Sequence, residues 1–290
     1  MKNKQRHLII LILTILAGLT LYRTAISEVF SAVMNREGSS HGVFVPFLVA
    51  YFIWLKSDIL RAVKTRFDYK GLILVLVGVI LSLSFRGIFQ LEFIGFLVFA
   101  GGLFYTIQGK DYFLETGFPL FFLITLVPLP KDIYIVIADW MRTITFAGSL
   151  KVISAMGISY FKSGWFLQLH NITLEIAPSC SGIRYLISYF VFGLAYAWLS
   201  RNSLRSRVLI VLATIPISII AGVGRLSAIF ILCHTLSPYW GGSQPHIVVS
   251  WINFGVVGGF FFLLDQYILR RMEKKQLAEG SSKLTADRKT

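Results

Sequence analysis

Charge is scarce in this sequence. Of its 290 residues only 14% are Asp, Glu, Lys or Arg, while 56% are hydrophobic, and mean hydropathy is +0.71. Soluble domains carry about 25% charged residues, so an ordinary water-soluble domain is excluded. Acidic residues are rarer still, 14 against 28 basic ones, leaving a net charge of +14. That surplus is not the mark of a nucleic-acid partner, because most of it collects in connections on one side of the apolar runs. Cysteine is almost absent, with only Cys180 and Cys233. There is no CxxC pair and no His/Cys cluster at zinc spacing, so neither a disulfide scaffold nor a zinc module is expected, and no metal or cofactor is called for. Internal repeats and low-complexity segments are also lacking.

What is present is a series of long apolar runs: Leu8–Ile26, Val43–Leu55, Gly71–Phe85, Phe93–Gln108, Phe113–Leu129, Ile183–Leu199, Val208–Gly224 and Ile247–Leu269. A membrane span needs about 20 residues, and the shorter runs borrow flanking positions. The expected fold is an all-α integral membrane protein of about eight transmembrane helices, in one domain over 1–271, with a polar cytoplasmic tail over 272–290. Leu8–Ile26 reads as an uncleaved first span rather than a cleaved leader. Basic residues precede the first span (Lys2, Lys4, Arg6). They also fill the second connection (Lys56, Arg61, Lys64, Arg66, Lys70), the sixth (Arg201, Arg205, Arg207) and the start of the tail (Arg270, Arg271, Lys274, Lys275). With eight spans these clusters fall on one side, which places both termini in the cytoplasm of a cell-membrane protein.

The longest connection on the opposite side, Pro130–Ser181, has two parts. In the first, Ile133, Val136, Ile137, Trp140, Met141 and Ile144 recur at helical spacing, with Asp139, Arg142 and Thr143 off that face. This predicts an amphipathic interfacial helix, with a ninth short span as the alternative. In the second, Leu167, Leu169, Ile172, Leu174 and Ile176 alternate with Gln168, Thr173 and Glu175 around His170-Asn171. This predicts a small extracytoplasmic β-hairpin that delivers the chain to Cys180.

Cys180 lies in Ala177-Pro178-Ser179-Cys180-Ser181-Gly182, immediately before the sixth span. A thiol at a helix N-terminus is favoured as thiolate. Ser179 or Ser181 suits a helix cap, Gly182 admits close approach of another chain, and Arg184 adds positive charge. Arg225 follows Gly224 and precedes a further apolar run, Leu226–Cys233, so its charge is embedded; an embedded charge marks a functional site. His246 opens the eighth span. Thiol, guanidinium and imidazole at one depth supply a nucleophile, an oxyanion or carboxylate partner and a proton carrier for acyl transfer. His234 is the rival for the proton-carrying role, and His41 is a candidate groove residue. Glu175 is a potential ion-pair partner of Arg184 or Arg225. Cys233, inside an apolar run, reads as a buried free thiol.

EIAPSCSGIRYL (175–186), with an arginine and then a histidine segment after it, resembles the exosortase/archaeosortase family of membrane-embedded cysteine transpeptidases. SHGVFVPFLVAYFIWL (40–55) and HIVVSWINFG (246–255) resemble further blocks of that family. The resemblance implies that Cys180, Arg225 and His246 are the catalytic set, supported by Arg184, Glu175, Ser181, Gly182, His41 and His234. It also implies substrate proteins bearing a C-terminal sorting signal, made of a short motif, a transmembrane helix and a basic tail. Cleavage through a thioester and transfer to a lipid- or glycan-borne acceptor follow from it, among membrane lipids. Two positions depart from the family pattern: Gly222 stands where asparagine is usual, and Pro245 precedes the histidine in place of an acidic residue. From another class, a polytopic transporter or lipid-handling protein with Arg225 as an anion-binding residue is the alternative.

Overall fold

The computed structural model describes residues 12, 14–35, 40–178, 181–200, 204–264 and 266. These are mostly helical, with one small sheet. They divide into two compact units that part between Lys131 and Asp132.

The first unit contains α1 (Arg23–Asn35), α2 (Val45–Leu55), α3 (Ser57–Ala62), α4 (Gly71–Ser84), α5 (Phe89–Gln108), α6 (Lys110–Glu115) and α7 (Gly117–Phe122). The α4 and α5 helices pack backbone to backbone through glycines. A methyl group on Gly78 would lie 2.6 Å from the Phe99 nitrogen, and one on Gly102 would lie 2.6 Å from the Val75 nitrogen. Small residues at an interface are how helices approach closely where lipid offers no hydrophobic drive between them.

The second unit opens with α8 (Lys131–Ala155) and continues into the antiparallel sheet β1 (Phe161–Ser163), β2 (Phe166–Gln168) and β3 (Thr173–Glu175). Three helices follow: α9 (Ile183–Ser200), α10 (Leu204–Thr235) and α11 (Ser243–Leu264). One core joins α8, the sheet, α10 and α11; Phe146, Leu167, Leu174, Ile229, Phe230 and Cys233 lie within it.

The predicted hairpin is present. Leu167 pairs with Leu174 across β2 and β3, and Leu167, Leu169, Leu174 and Ile176 are buried as the alternation requires. The additional strand β1 escaped the pattern because all three of its residues are exposed. The sixth run is also where the sequence puts it, as α9.

Four expectations change. Among the described residues α5, α9 and α10 are the helices long and apolar enough to cross a membrane alone; α2 and α4 are apolar but shorter, so the count of eight spans is not confirmed. The fifth run is not one helix but α6, α7 and a 3-10 turn at Leu123–Leu126. Pro119 has no N–H to give to the carbonyl of Glu115, four residues earlier. That carbonyl accepts from Lys56 Nζ at 2.8 Å instead, and Lys56 also pairs with the Glu115 carboxylate at 2.9 Å. The seventh run is part of a longer helix, α10, which spans 32 residues in all, about 48 Å at 1.5 Å per residue; it joins the run to Leu226–Cys233, with Arg225 inside it as its embedding implied.

The fourth change concerns α8, which exists where an interfacial helix is expected but does not keep its apolar residues on one face. Ile133, Val136 and Trp140 are exposed, as an interfacial helix requires, whereas Met141 of the same pattern is buried with Ala138, Thr145, Phe146, Ser149, Leu150 and Ile153. Against lipid large apolar residues need not be hidden, so small and polar residues such as Thr145 and Ser149 share the helix contacts with Met141, Phe146, Leu150 and Ile153. The polar tail expected from 272 lies outside the described residues.

Candidate active site

The α9 helix begins at Ile183, directly after the Ser-Gly pair that follows Cys180. Its first turn closes on the carbonyl of Gly182, which accepts from Tyr185 and Leu186 at 2.9 and 3.2 Å. Ser181 is fully buried, and its Oγ accepts from the Ile183 nitrogen at 3.3 Å, as a capping hydroxyl does. Gly182 has φ +83°, a conformation other residues avoid. Ser179 and Cys180 lie outside the described residues. Arg184 is exposed in the first turn of α9. Residues 181 and 182 form a bend ahead of the helix.

Gly182 meets α10 at Gly222. A methyl group on Gly182 would lie 3.5 Å from the Gly222 Cα, whereas one on Gly222 would lie 2.5 Å from Thr145 Cγ2 of α8. A side chain at 222 therefore has no room while threonine stands at 145, which gives the departure from asparagine a physical reason. One turn further along α10 stands Arg225, its guanidinium carbon 5.9 Å from the centre of the Tyr185 ring. The structure thus brings Arg225 and the Ser181-Gly182 bend to one place, between α8, α9 and α10.

Position 246 is the fourth residue of α11, with its side chain outside the described part. Two turns on, Asn253 Nδ2 donates to the carbonyl of Ala221 at 2.9 Å, one turn before Arg225. So α11 does pack on α10 at the arginine's level. His234 has a different neighbour: its Nδ1 is 3.2 Å from Nδ1 of His170, at the tip of the β2–β3 hairpin. Beside it Asn171 Nδ2 donates to the carbonyl of Cys233 at 2.7 Å. His234 therefore pins the hairpin tip to the end of α10. Cys233 is fully buried in the apolar core, where a thiol is inert. Glu175 is exposed at the end of β3 and makes no ion pair among the described residues. His41 belongs to the first unit, where its Nε2 lies 3.1 Å from the carbonyl of Thr125.

Two residues of α8 near the site were not among the sequence candidates. Arg142, on α8, is nearly buried, with its guanidinium 3.8 Å above the Trp165 ring. Its Nη2 donates to Asp139 at 2.7 Å and its Nη1 to the carbonyl of Ile176 at 3.3 Å. Stacking of this kind contributes about 1 kcal/mol, more where water is excluded. Thr145, one turn later, has its Oγ1 3.5 Å from the Ser181 carbonyl, although its proton goes to Met141 at 2.8 Å. Ser149 continues the line, 3.2 Å from the carbonyl of Val223. The spacing of Arg142, Thr145 and Ser149 is helical; Arg142 lay off the apolar pattern, and Thr145 and Ser149 were no part of it.

Compared with known protein families, the chain matches that of the transmembrane exosortases over residues 33–263. No curated protein and no solved structure matches it.

Proposed function

The chain belongs to the transmembrane exosortase family, and on that premise we propose that it is a cysteine transpeptidase of exported proteins with C-terminal sorting signals. The substrate's transmembrane helix lies beside the spans with its basic tail in the cytoplasm. Its sorting motif reaches the extracytoplasmic face, where Cys180 attacks. The sulfur forms a bond to the scissile carbonyl carbon, and the negative charge that develops on oxygen is met by Arg225, whose two parallel donors suit an oxyanion. His246 protonates the amine that leaves, and a thioester on Cys180 remains. A lipid- or glycan-borne nucleophile gives up its proton to His246, attacks the thioester and releases the thiol. Attack by water instead makes the same site a protease.

The observation that carries this reading is the seating of Gly182, two residues after Cys180, on α10 one turn from Arg225. Co-expression with a protein bearing a motif, an apolar helix and a basic tail tests it by the size of that protein on a gel. Cys180→Ala and Cys180→Ser are expected to leave it uncut, while Cys233→Ala cuts it normally. Normal cutting by both Cys180 variants would end the enzyme reading. If Arg225→Gln then still impaired a membrane function, the anion-binding alternative would take its place.

A further inference from the structure

Within the second unit, one face of α8 meets the chain on both sides of the thiol's position. Four residues before Cys180, Ile176 has both backbone polar groups engaged. Its N–H donates to the Trp165 carbonyl at 2.8 Å, and its carbonyl accepts from Arg142 at 3.3 Å. Arg142 in turn lies flat on the ring of that same Trp165, at 3.8 Å. Immediately after Cys180, the buried Ser181 presents its carbonyl to Thr145, one helical turn along from Arg142, at 3.5 Å. Its N–H donates to Pro178 at 3.1 Å.

We infer that Arg142 is a positioning residue for the Cys180 thiol, holding the upstream end of the thiol's segment while Thr145 meets the downstream end. This rests on the reading of Cys180 as the nucleophile. The chemistry of the side chain supports it. Arg142 does three things at once: it stacks a planar cation on Trp165, donates to Ile176 and donates to Asp139. Lysine has neither the plane nor the fork. Its Nε is buried with no acceptor among the described residues. An unmet buried donor is destabilising, and an apolar residue of similar volume often serves packing better than a buried ion pair. What Arg142 holds in place outweighs that cost. Asp139, on the same helix, keeps the guanidinium oriented and offsets its charge, so Arg142 acts through geometry rather than as a second cation for the substrate.

The test uses the full chain in membranes with Arg142→Lys and Arg142→Gln. Three readouts are taken: the single-turnover processing rate at saturating substrate, the substrate concentration for half-maximal rate, and the pH profile of Cys180 alkylation. Cys233, buried in the unit's core, reports folding by remaining unlabelled. Both variants are expected to process about tenfold or more slowly, since misplacement by an ångström costs up to a hundredfold. Half-saturation is expected to stay within about twofold of wild type, the alkylation profile to shift, and Cys233 to remain protected, with lysine recovering little. Processing and alkylation indistinguishable from wild type in both variants would overturn the inference. So would labelling of Cys233 in both, because Arg142 would then be holding the fold and not the thiol. Cys180→Ala separates the two levels. If that variant processes normally, the enzyme reading fails and this inference with it. If it is inactive while the Arg142 variants are unaffected, the enzyme reading stands and only the inference fails.

Discussion

The α4–α5 pair of the first unit and the α8–α10 contact of the second use the same packing device to different ends. In both, small residues bring helices together until a methyl group would collide: Gly78 against the Phe99 backbone in one, Gly222 against Thr145 in the other. Around Gly78 the nearest atoms are backbone atoms of Gly95 and Phe99. Around Gly222 they are Thr145, the Ser181-Gly182 bend, Ser149 on the Val223 carbonyl and, one turn away, Arg225. Close approach by itself makes a rigid helix pair. Close approach with polar groups whose hydrogen bonds are already spent makes a rigid frame around a charge.

The largest effect is expected at that charge. Arg225→Lys should reduce processing at least about a hundredfold, the scale of losing an oxyanion donor, with the protein still inserted at normal levels. A lysine variant with wild-type rate would show that position 225 needs only a positive charge. Next come the histidines. His246→Ala is expected to lose about a hundredfold, as removal of a proton carrier does. His234→Ala, which removes one of two contacts between the hairpin tip and the end of α10, should stay close to wild type; the reverse result would move the proton-carrying role to His234.

Two glycine variants sharpen the comparison directly. Gly222→Asn, restoring the family's usual residue, is expected to cost about 1–3 kcal/mol through overpacking and to depress processing. Thr145→Ala in the same chain should recover part of both, because it removes the colliding Cγ2. Failure of that second change to recover anything would mean the collision is not the cause. Gly78→Ala should cost a similar amount in thermal unfolding yet leave the activity of each folded molecule unchanged. Lost activity in that variant would join the first unit's packing to the chemistry. The smallest effect is expected at Lys56→Gln. The partly exposed pair with Glu115 contributes about 1 kcal/mol or less, although the freed Glu115 carbonyl also loses its donor.

Much of the framework was legible in sequence. The start of α9 after Ser181-Gly182 and the alternation from Leu167 to Ile176 are local patterns, and local rules suffice for them. The embedding of Arg225 was also legible, because apolar residues stand on both sides of it. The buried face of α8 was not, because it mixes Met141, Phe146 and Leu150 with Thr145 and Ser149 and so shows no single hydrophobic period. Arg142 was set aside because it lay off the apolar pattern. Its partners Trp165 and Ile176 lie 23 and 34 residues away in the chain, and only the sheet brings them back.

By itself, then, the sequence determined that this chain lives in a membrane, where α9 and the hairpin fall, and which residue types are available for thiol chemistry. Those properties follow from composition and from periods of two and 3.6 residues, which act over one or two turns. The tertiary structure decided which face of α8 is inside, why residue 222 has no side chain, and which arginine meets the strand ahead of Cys180. Those are questions of contact between segments distant in sequence. Steric exclusion and the need to satisfy each buried polar group settle them only once the whole unit has folded.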